Sequence, residues 1–190
     1  MTLTRGRWRL QRRLIPFAVA LLALPNVPLM AQPATAPALT AAFLYNFAKF
    51  AEWPAESLPP GQRLSLCVVG DNAVADALEQ IIKGRAVEGH ELTVAVLKAD
   101  GPLRSCHLLY VSGDANRSAQ VLEAVKGVPV FTVGDEIRFA ASGGVAQLIL
   151  ENDHMRFAVN VSAAQRARLK VSSKLLSLAK IVKDDYDVRP

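Results

Sequence analysis

The sequence predicts a three-layer α/β fold: a mostly parallel sheet with an antiparallel hairpin at one edge and helices on both faces. Apolar, β-branched runs alternate with segments of helical periodicity through residues 64–133, which is the pattern of parallel strands joined by crossover helices. Two strand-like runs then follow with only Asn152-Asp153-His154 between them, which is hairpin spacing. These two observations define the predicted class.

The first predicted element is an amphipathic helix that begins at Ala38 and ends at Trp53. Its apolar residues recur mostly at three- or four-residue intervals, and Pro54 ends the pattern. Strands are predicted over residues 64–69, 91–97, 106–111, 128–133, 145–151 and 155–159. Helices are predicted over residues 73–83 and 115–126, at the start of a helical C-terminal portion at 160–162, and over a last segment that Ser172 or Ser173 caps and that includes residues 175–182.

The N-terminus has the pattern of a cleavable export signal over residues 1–31. Five arginines and no acidic residue precede the uncharged run 14–24, as an n-region precedes an h-region. This run is about half the ~20 residues that span a bilayer, so we expect no membrane insertion after cleavage. The expected organisation is cleavage after Ala31, a Pro/Ala-rich lead over 32–37, a single domain over 38–183 and a polar tail over 184–190.

The net positive charge of the chain lies entirely in the segment that cleavage would remove. The chain has 22 Lys and Arg against 17 Asp and Glu, and five of the arginines lie in the signal. The mature chain therefore has no net charge, and it has no dense basic cluster. We expect no nucleic-acid partner.

Both cysteines, Cys67 and Cys106, lie in the mature chain and on predicted strands. An even number of cysteines in an exported chain is typical of a disulfide. Closing a loop of about 40 residues would stabilise the fold by ~4 kcal/mol before any strain is subtracted. The alternative is two unpaired, buried thiols.

Three predicted strands end in the dipeptide Gly-Asp, at Asp71, Asp114 and Asp135. Ligands of open parallel sheets bind outside the carboxyl ends of the strands, which makes these three aspartates candidate ligand-binding residues. The alternative is structural, because glycine supplies a positive φ and aspartate caps the helix that follows.

The motifs of common catalytic and metal sites are absent from the sequence. There is no glycine-rich phosphate loop, the three histidines are not at metal-ligand spacing, and no serine lies in a Gly-x-Ser-x-Gly turn. We therefore expect no catalytic residue, no metal and no cofactor. A hydrolase site built from residues that are distant in sequence is the remaining alternative.

Aromatic residues are concentrated in the first predicted helix. Phe43, Phe47 and Phe50 lie at core spacing, whereas Tyr45 and Trp53 lie off the centre of that stripe. An exposed aromatic side chain can anchor a partner, so Tyr45 and Trp53 are the candidate partner-binding residues. The alternative is that both pack within the domain.

Seven segments, in their order and spacing, resemble the YfiR family of periplasmic proteins. They are 41–54 (AAFLYNFAKFAEWP), 65–71 (SLCVVGD), 106–112 (CHLLYVS), 132–135 (TVGD), 143–144 (GG), 156–160 (RFAVN) and 172–176 (SSKLL). The resemblance implies a periplasmic protein, not an enzyme, that binds the periplasmic sensor domain of a membrane-bound diguanylate cyclase. Binding would hold the cyclase inactive and lower cyclic di-GMP, and a more reducing periplasm is one condition that would release the partner.

The same resemblance implies that Cys67 and Cys106 are the positions of a family disulfide, and that the protein forms a homodimer. The second cysteine pair of some family members is missing here, so we expect no redox sensing through a second bond. The competing function is a periplasmic module that binds a small ligand at the three Gly-Asp strand ends.

Overall fold

A computed structural model describes residues 36–152 and 154–184 of the chain. The expected signal peptide (1–31), most of the expected lead, Asp153 and residues 185–190 lie outside this range. All described residues belong to one compact unit. None of the described helices is long and apolar enough to cross a membrane.

Strands and helices follow one another largely as the sequence predicts. The described helices are α1 (Ala36–Phe50), α2 (Asn72–Ile82), α3 (Ala115–Ala124), α4 (Val161–Arg166) and α5 (Ser173–Leu176), with a 3₁₀ turn at Leu103–Ser105. The described strands are β1 (Ala51–Glu52), β2 (Leu64–Val69), β3 (Ala86–Val87), β4 (His90–Leu97), β5 (Leu108–Val111), β6 (Phe131–Gly134), β7 (Ala146–Glu151), β8 (His154–Asn160), β9 (Lys170–Val171) and β10 (Lys180–Val182).

The main sheet of the described residues has eight strands in the order β10-β8-β7-β6-β5-β2-β4-β3. The pairs from β7 through β6, β5 and β2 to β4 are all parallel. The hairpin β7–β8 is antiparallel, as is the short pair β3–β4 at the other end. The predicted α/β class with a mostly parallel sheet is therefore confirmed.

Alternate side chains of the central strands fill two separate core layers. Leu66 and Leu108 belong to the layer that contains α1 and α2, whereas Cys67 and Leu109 belong to the layer that contains Val121 of α3. Successive side chains of a strand point to opposite faces, so the sheet is covered on both sides. This is the predicted three-layer arrangement.

Aromatic packing buries α1 against the sheet. Phe47 stacks on Phe131 with the ring centroids 5.7 Å apart and meets Phe157 edge to face at 5.2 Å. The helix ends at Phe50, earlier than predicted, because Ala51–Glu52 forms the strand β1 that pairs with β9. Pairing with a distant strand outweighs the local helical periodicity there.

The C-terminal region differs from the helix predicted up to residue 182. Helix α5 ends at Leu176, and Lys180–Val182 is the strand β10, which lies parallel to β8. Strand β10 pairs with the outer edge of β8, whose backbone groups would otherwise have no partner in the sheet. The prediction of a helix was therefore wrong over residues 180–182, and β10 is the outermost strand beside the hairpin.

Two predicted strands are shorter than expected at their N-terminal ends. Cys106 lies in extended backbone between the 3₁₀ turn and β5, and β6 begins only at Phe131. Pro129 has no N–H to donate to a neighbouring strand, which accounts for the late start of β6.

Candidate functional site

A disulfide joins β2 to the segment that leads into β5. Cys67 and Cys106 are bonded, with their Cα atoms 5.9 Å apart, and both are buried in the core layer that faces α3. No cysteine of the described residues is free. The predicted pair is confirmed.

His107, the neighbour of Cys106, connects two other segments. Its Nδ1 accepts a hydrogen bond from the Ser65 N–H at 3.0 Å, and its Nε2 lies 3.0 Å from the Ser57 carbonyl oxygen. The first bond needs a lone pair on Nδ1, so we assign the ring hydrogen to Nε2, which donates to Ser57. Burial lowers the pKa of His107, and the hydrogen bond to Ser57 offsets this only in part, so the neutral ring is favoured.

Trp53 lies against His107. Its Nε1–H donates to the His107 carbonyl oxygen at 3.0 Å, and the two rings meet edge to face with their centroids 6.2 Å apart. Trp53 is half-buried and packs against the core layer of α1. This candidate partner-binding residue thus fixes the segment after α1 to the sheet and leaves part of its ring exposed.

A groove of about 380 Å³ lies beside the disulfide and His107. Both of its arginines already have partners. Arg168 Nη1 donates to Glu56 Oε1 at 2.9 Å, and Arg104 Nη1 donates to the Ala124 carbonyl oxygen at 3.1 Å. A second groove, of about 440 Å³, lies between Phe43 of α1, the hairpin and Leu178.

Tyr45, the other candidate partner-binding residue, lies half-buried on α1 between two cations. The Arg85 guanidinium is 5.2 Å and Lys49 Nζ is 5.6 Å from the centroid of its ring. Phe50 is placed in the same way, with Lys49 Nζ at 5.9 Å and Lys174 Nζ at 5.5 Å from its centroid. We call these five side chains the cation–aromatic row.

Asp71 and Asp114 each cap the helix that follows them. Asp71 Oδ1 accepts the Val74 N–H at 3.1 Å, at the start of α2, and Asp114 Oδ1 accepts the Arg117 N–H at 2.9 Å, at the start of α3. An aspartate at this position satisfies a backbone donor that the helix itself leaves unpaired. The structural interpretation of these two Gly-Asp turns therefore accounts for both carboxylates.

Asp135 binds the end of the neighbouring strand β5. Its Oδ2 accepts the Tyr110 hydroxyl at 2.9 Å and the Ser112 hydroxyl at 2.8 Å, and its Oδ1 accepts the Gly113 N–H at 3.4 Å. Burial and, next, the charge of Asp135 raise the pKa of Tyr110 well above its usual value, so the phenol stays a donor. Sequence reasoning missed Tyr110, because in the sequence it reads only as an apolar strand position.

Arg117 fills the space between the ends of β2 and β5. Its Nη1 donates to the Ser112 carbonyl oxygen at 2.6 Å. A Cβ atom at Gly113 would lie 2.3 Å from that Nη1, and one at Gly70 would lie 2.3 Å from the Ser112 carbonyl oxygen. The strand ends thus lie close together, as predicted for one edge of a parallel sheet.

The three carboxylates at this edge make internal bonds. Neither of the two grooves above is lined by Asp71, Asp114 or Asp135. Within residues 36–152 and 154–184, no group of three or more His, Cys, Asp or Glu side chains is placed to hold a metal ion.

The geometry defines a small α/β domain braced by one disulfide, with an aromatic surface on its first helix. The chain belongs to the YfiR/HmsC-like family, which it matches over residues 37–180. Its fold is also similar to the crystal structure of a conserved domain protein from Vibrio cholerae O1 biovar El Tor str. N16961, with a TM-score of 0.50 and 14% identity. That match covers 79% of this chain and 60% of the other, and at this identity it shows the fold alone.

Proposed function

We propose that this protein is a periplasmic regulator that binds the periplasmic sensor domain of a membrane-bound diguanylate cyclase and holds the cyclase inactive. Cyclic di-GMP in the cytoplasm falls as a result. The observation that carries the proposal is membership of the YfiR/HmsC-like family over residues 37–180. The proposed role is binding, without catalysis.

A rigid scaffold supports this role, because a pre-organised surface loses less entropy when it binds. The Cys67–Cys106 bond, the two ring hydrogen bonds of His107 and the Trp53 hydrogen bond together fix β2, the start of β5 and the segment after α1. The surface next to this braced region, on α1, is the proposed contact with the partner.

Tyr45 and Trp53 are the proposed partner contacts. Tyr45 presents a half-buried ring on α1, and Trp53 presents the part of its ring that His107 and the core leave uncovered. Aromatic side chains at such positions bury a large area at a small cost in side-chain entropy, which is why they dominate many interfaces.

The periplasm is the proposed compartment. The predicted signal over residues 1–31 and the disulfide are both features of exported proteins, since disulfides persist in oxidising compartments. A homodimer, which the family resemblance implies, remains a prediction, and size-exclusion chromatography with light scattering tests it.

Co-purification tests the proposed binding. The mature chain, residues 32–190, is immobilised and exposed to detergent-solubilised membranes of the source cell, and bound proteins are identified by mass spectrometry. We expect a diguanylate cyclase with a periplasmic segment to be retained. The same bait after heat denaturation serves as the control. It keeps the charges of Lys49 and Arg85 but has lost the folded surface. Retention of no cyclase would contradict the proposal.

Binding of a small ligand at the Gly-Asp strand ends has less support. Asp71 and Asp114 cap helices, and Asp135 is bonded to Tyr110, Ser112 and the Gly113 N–H. A ligand at this edge would have to compete with those bonds. Unchanged stability of the Asp135→Asn variant together with loss of a bound metabolite in native mass spectrometry would favour this second function.

A further inference from the structure

Cations and aromatic rings alternate in the cation–aromatic row. Arg85 lies over Tyr45, Lys49 lies between Tyr45 and Phe50, and Lys174 lies over Phe50. Three separate parts of the chain contribute to the row, namely α1, the segment between α2 and β3, and α5. The fold itself therefore assembles this surface.

The three cations of the row have no carboxylate partner within the described part of the chain. Ion pairs are formed there by Arg63, Lys126, Arg156, Arg166 and Arg168, but not by Lys49, Arg85 or Lys174. An aromatic face attracts a cation through its quadrupole and carries no net charge. The positive charges of the row therefore lie over aromatic rings and outside the ion pairs of the described residues.

The position of these charges also matters for binding. Lys49, Arg85 and Lys174 are exposed, and Tyr45 and Phe50 are half-buried against the core layer of α1. The rings restrict the long cationic side chains before any partner arrives, which reduces the entropy lost on binding. A pre-placed guanidinium can also take a carboxylate in a bidentate hydrogen-bonded pair.

We infer that the cation–aromatic row is a docking surface for an acidic segment of the partner protein. Carboxylates of that segment would pair with Lys49, Arg85 and Lys174, and its apolar side chains would cover the rings of Tyr45 and Phe50. The charge of the row sets the chemistry of the segment, whereas the identity of the partner, a cyclase sensor domain, rests on the proposed function. An anionic lipid surface fits less well, because half-buried rings cannot insert into a bilayer as exposed aromatic side chains do.

Charge reversal tests the inference with the mature protein and the purified periplasmic domain of the cyclase that it retains. The double variant Lys49→Glu/Arg85→Glu should bind about tenfold more weakly or worse, and the salt dependence of the dissociation constant should diminish. The neutral variant Lys49→Gln/Arg85→Gln should show a smaller loss, which guards against misfolding of the first. Lys98→Glu is the matched control, since Lys98 is exposed and follows the end of β4 that is remote from Arg85.

Each outcome has a distinct meaning. Wild-type affinity in both double variants would overturn the docking surface while leaving the proposed function intact. Binding of wild-type protein to phosphatidylglycerol vesicles that depends on the row, with no effect of the variants on cyclase binding, would overturn the protein occupant. Failure of the wild-type protein to bind any cyclase domain would contradict both the proposed function and the assignment of a cyclase sensor domain as the partner.

Discussion

At the scale of residues, one buried histidine holds two segments in place. His107 accepts from the Ser65 N–H and donates to the Ser57 carbonyl oxygen, while its own carbonyl oxygen accepts the Trp53 N–H. Protonation of Nδ1 would place a hydrogen against the Ser65 N–H and break that bond. The hydrogen bonds of the braced region therefore depend on the neutral ring.

Acidification should destabilise the protein through His107. Burial lowers the folded-state pKa of His107 below the ordinary histidine value of 6.5, so the unfolded chain binds more protons as the pH falls through that value. The free energy of unfolding should decrease from about pH 6.5 down to the lowered pKa and then no further from this group. Urea unfolding at a series of pH values should show this loss in the wild-type protein and a smaller loss in His107→Gln. Equal pH dependence in the two proteins would contradict the assignment.

Trp53 is tied to the fold by one hydrogen bond and by the packing of its partly buried ring against the core layer of α1. Trp53→Ala should lower the free energy of unfolding by about 2–3 kcal/mol, somewhat less than a fully buried tryptophan would cost. Trp53→Phe keeps most of the packing and loses the bond to His107, so it should cost about 1 kcal/mol. Circular dichroism melting measures both. Unchanged melting of Trp53→Ala together with lost cyclase binding would instead show that Trp53 acts only at the interface.

At the level of helices and strands, the sequence predicted the elements that have a strong local pattern. Strand β2 and helices α2 and α3 lie close to their predicted bounds, because each has a strong periodicity and a Gly-Asp turn between strand and helix. Strands β1, β9 and β10 have only two or three residues each and exist through pairing with distant segments. Periodicity is recognisable only over several residues, so it cannot reveal strands as short as these.

At the candidate site, too, local features were predicted and long-range contacts were missed. The disulfide followed from the number of cysteines, and the capping roles of Asp71 and Asp114 were the structural alternative to the ligand-binding role predicted for the Gly-Asp turns. The contacts of Tyr110 with Asp135, and of Arg85 and Lys174 with the rings of α1, join residues far apart in sequence. Nothing local in the sequence marks such contacts.

Asp184 anchors β10 to the rest of the fold. The expected polar tail starts at this residue, but its carboxylate is buried, with Asn160 Nδ2 donating to Oδ1 at 2.5 Å and Arg166 Nη1 lying 2.5 Å from Oδ2. Asn160 in turn caps α4 through the Ala163 N–H and donates to the Ala140 carbonyl oxygen. The side chain of Asp184 thus links β10, the hairpin and α4.

Removal of this carboxylate should destabilise the protein and release β10. Asp184→Ala takes away one partner of a buried amide, at an expected cost of about 1–3 kcal/mol. Hydrogen exchange of the Lys180–Val182 amides should speed up more than that of β2. Lys183→Ala is the matched control, because Lys183 is exposed, and exchange unchanged in Asp184→Ala relative to that control would contradict the anchoring role.

At the scale of the whole molecule, the disulfide braces the parallel sheet from the layer that faces α3. The bond joins Cys67 of β2 to Cys106, which lies 39 positions later, just before β5. Strands β2 and β5 are parallel neighbours in the sheet. Such a cross-link restricts the unfolded chain over most of one crossover unit.

Loss of the bond should lower stability without changing the fold. The Cys67→Ala/Cys106→Ala variant should lose about 2–4 kcal/mol, which would appear as a lower melting temperature with an unchanged far-ultraviolet spectrum. Wild-type protein treated with a reductant should melt in the same way as the variant. A variant that melts like the oxidised wild-type protein would show that the bond contributes nothing to stability.

The proposed function is inhibition of a diguanylate cyclase from the periplasm. The most direct measurement is cyclic di-GMP, quantified by mass spectrometry in a strain that lacks the gene and in the same strain after complementation. Cyclic di-GMP should rise on deletion, return to the parental level when the full chain is expressed, and stay high when residues 32–190 are expressed without an export signal. An unchanged cyclic di-GMP level in the deletion strain, or restoration by the signal-less chain, would contradict periplasmic inhibition of the cyclase.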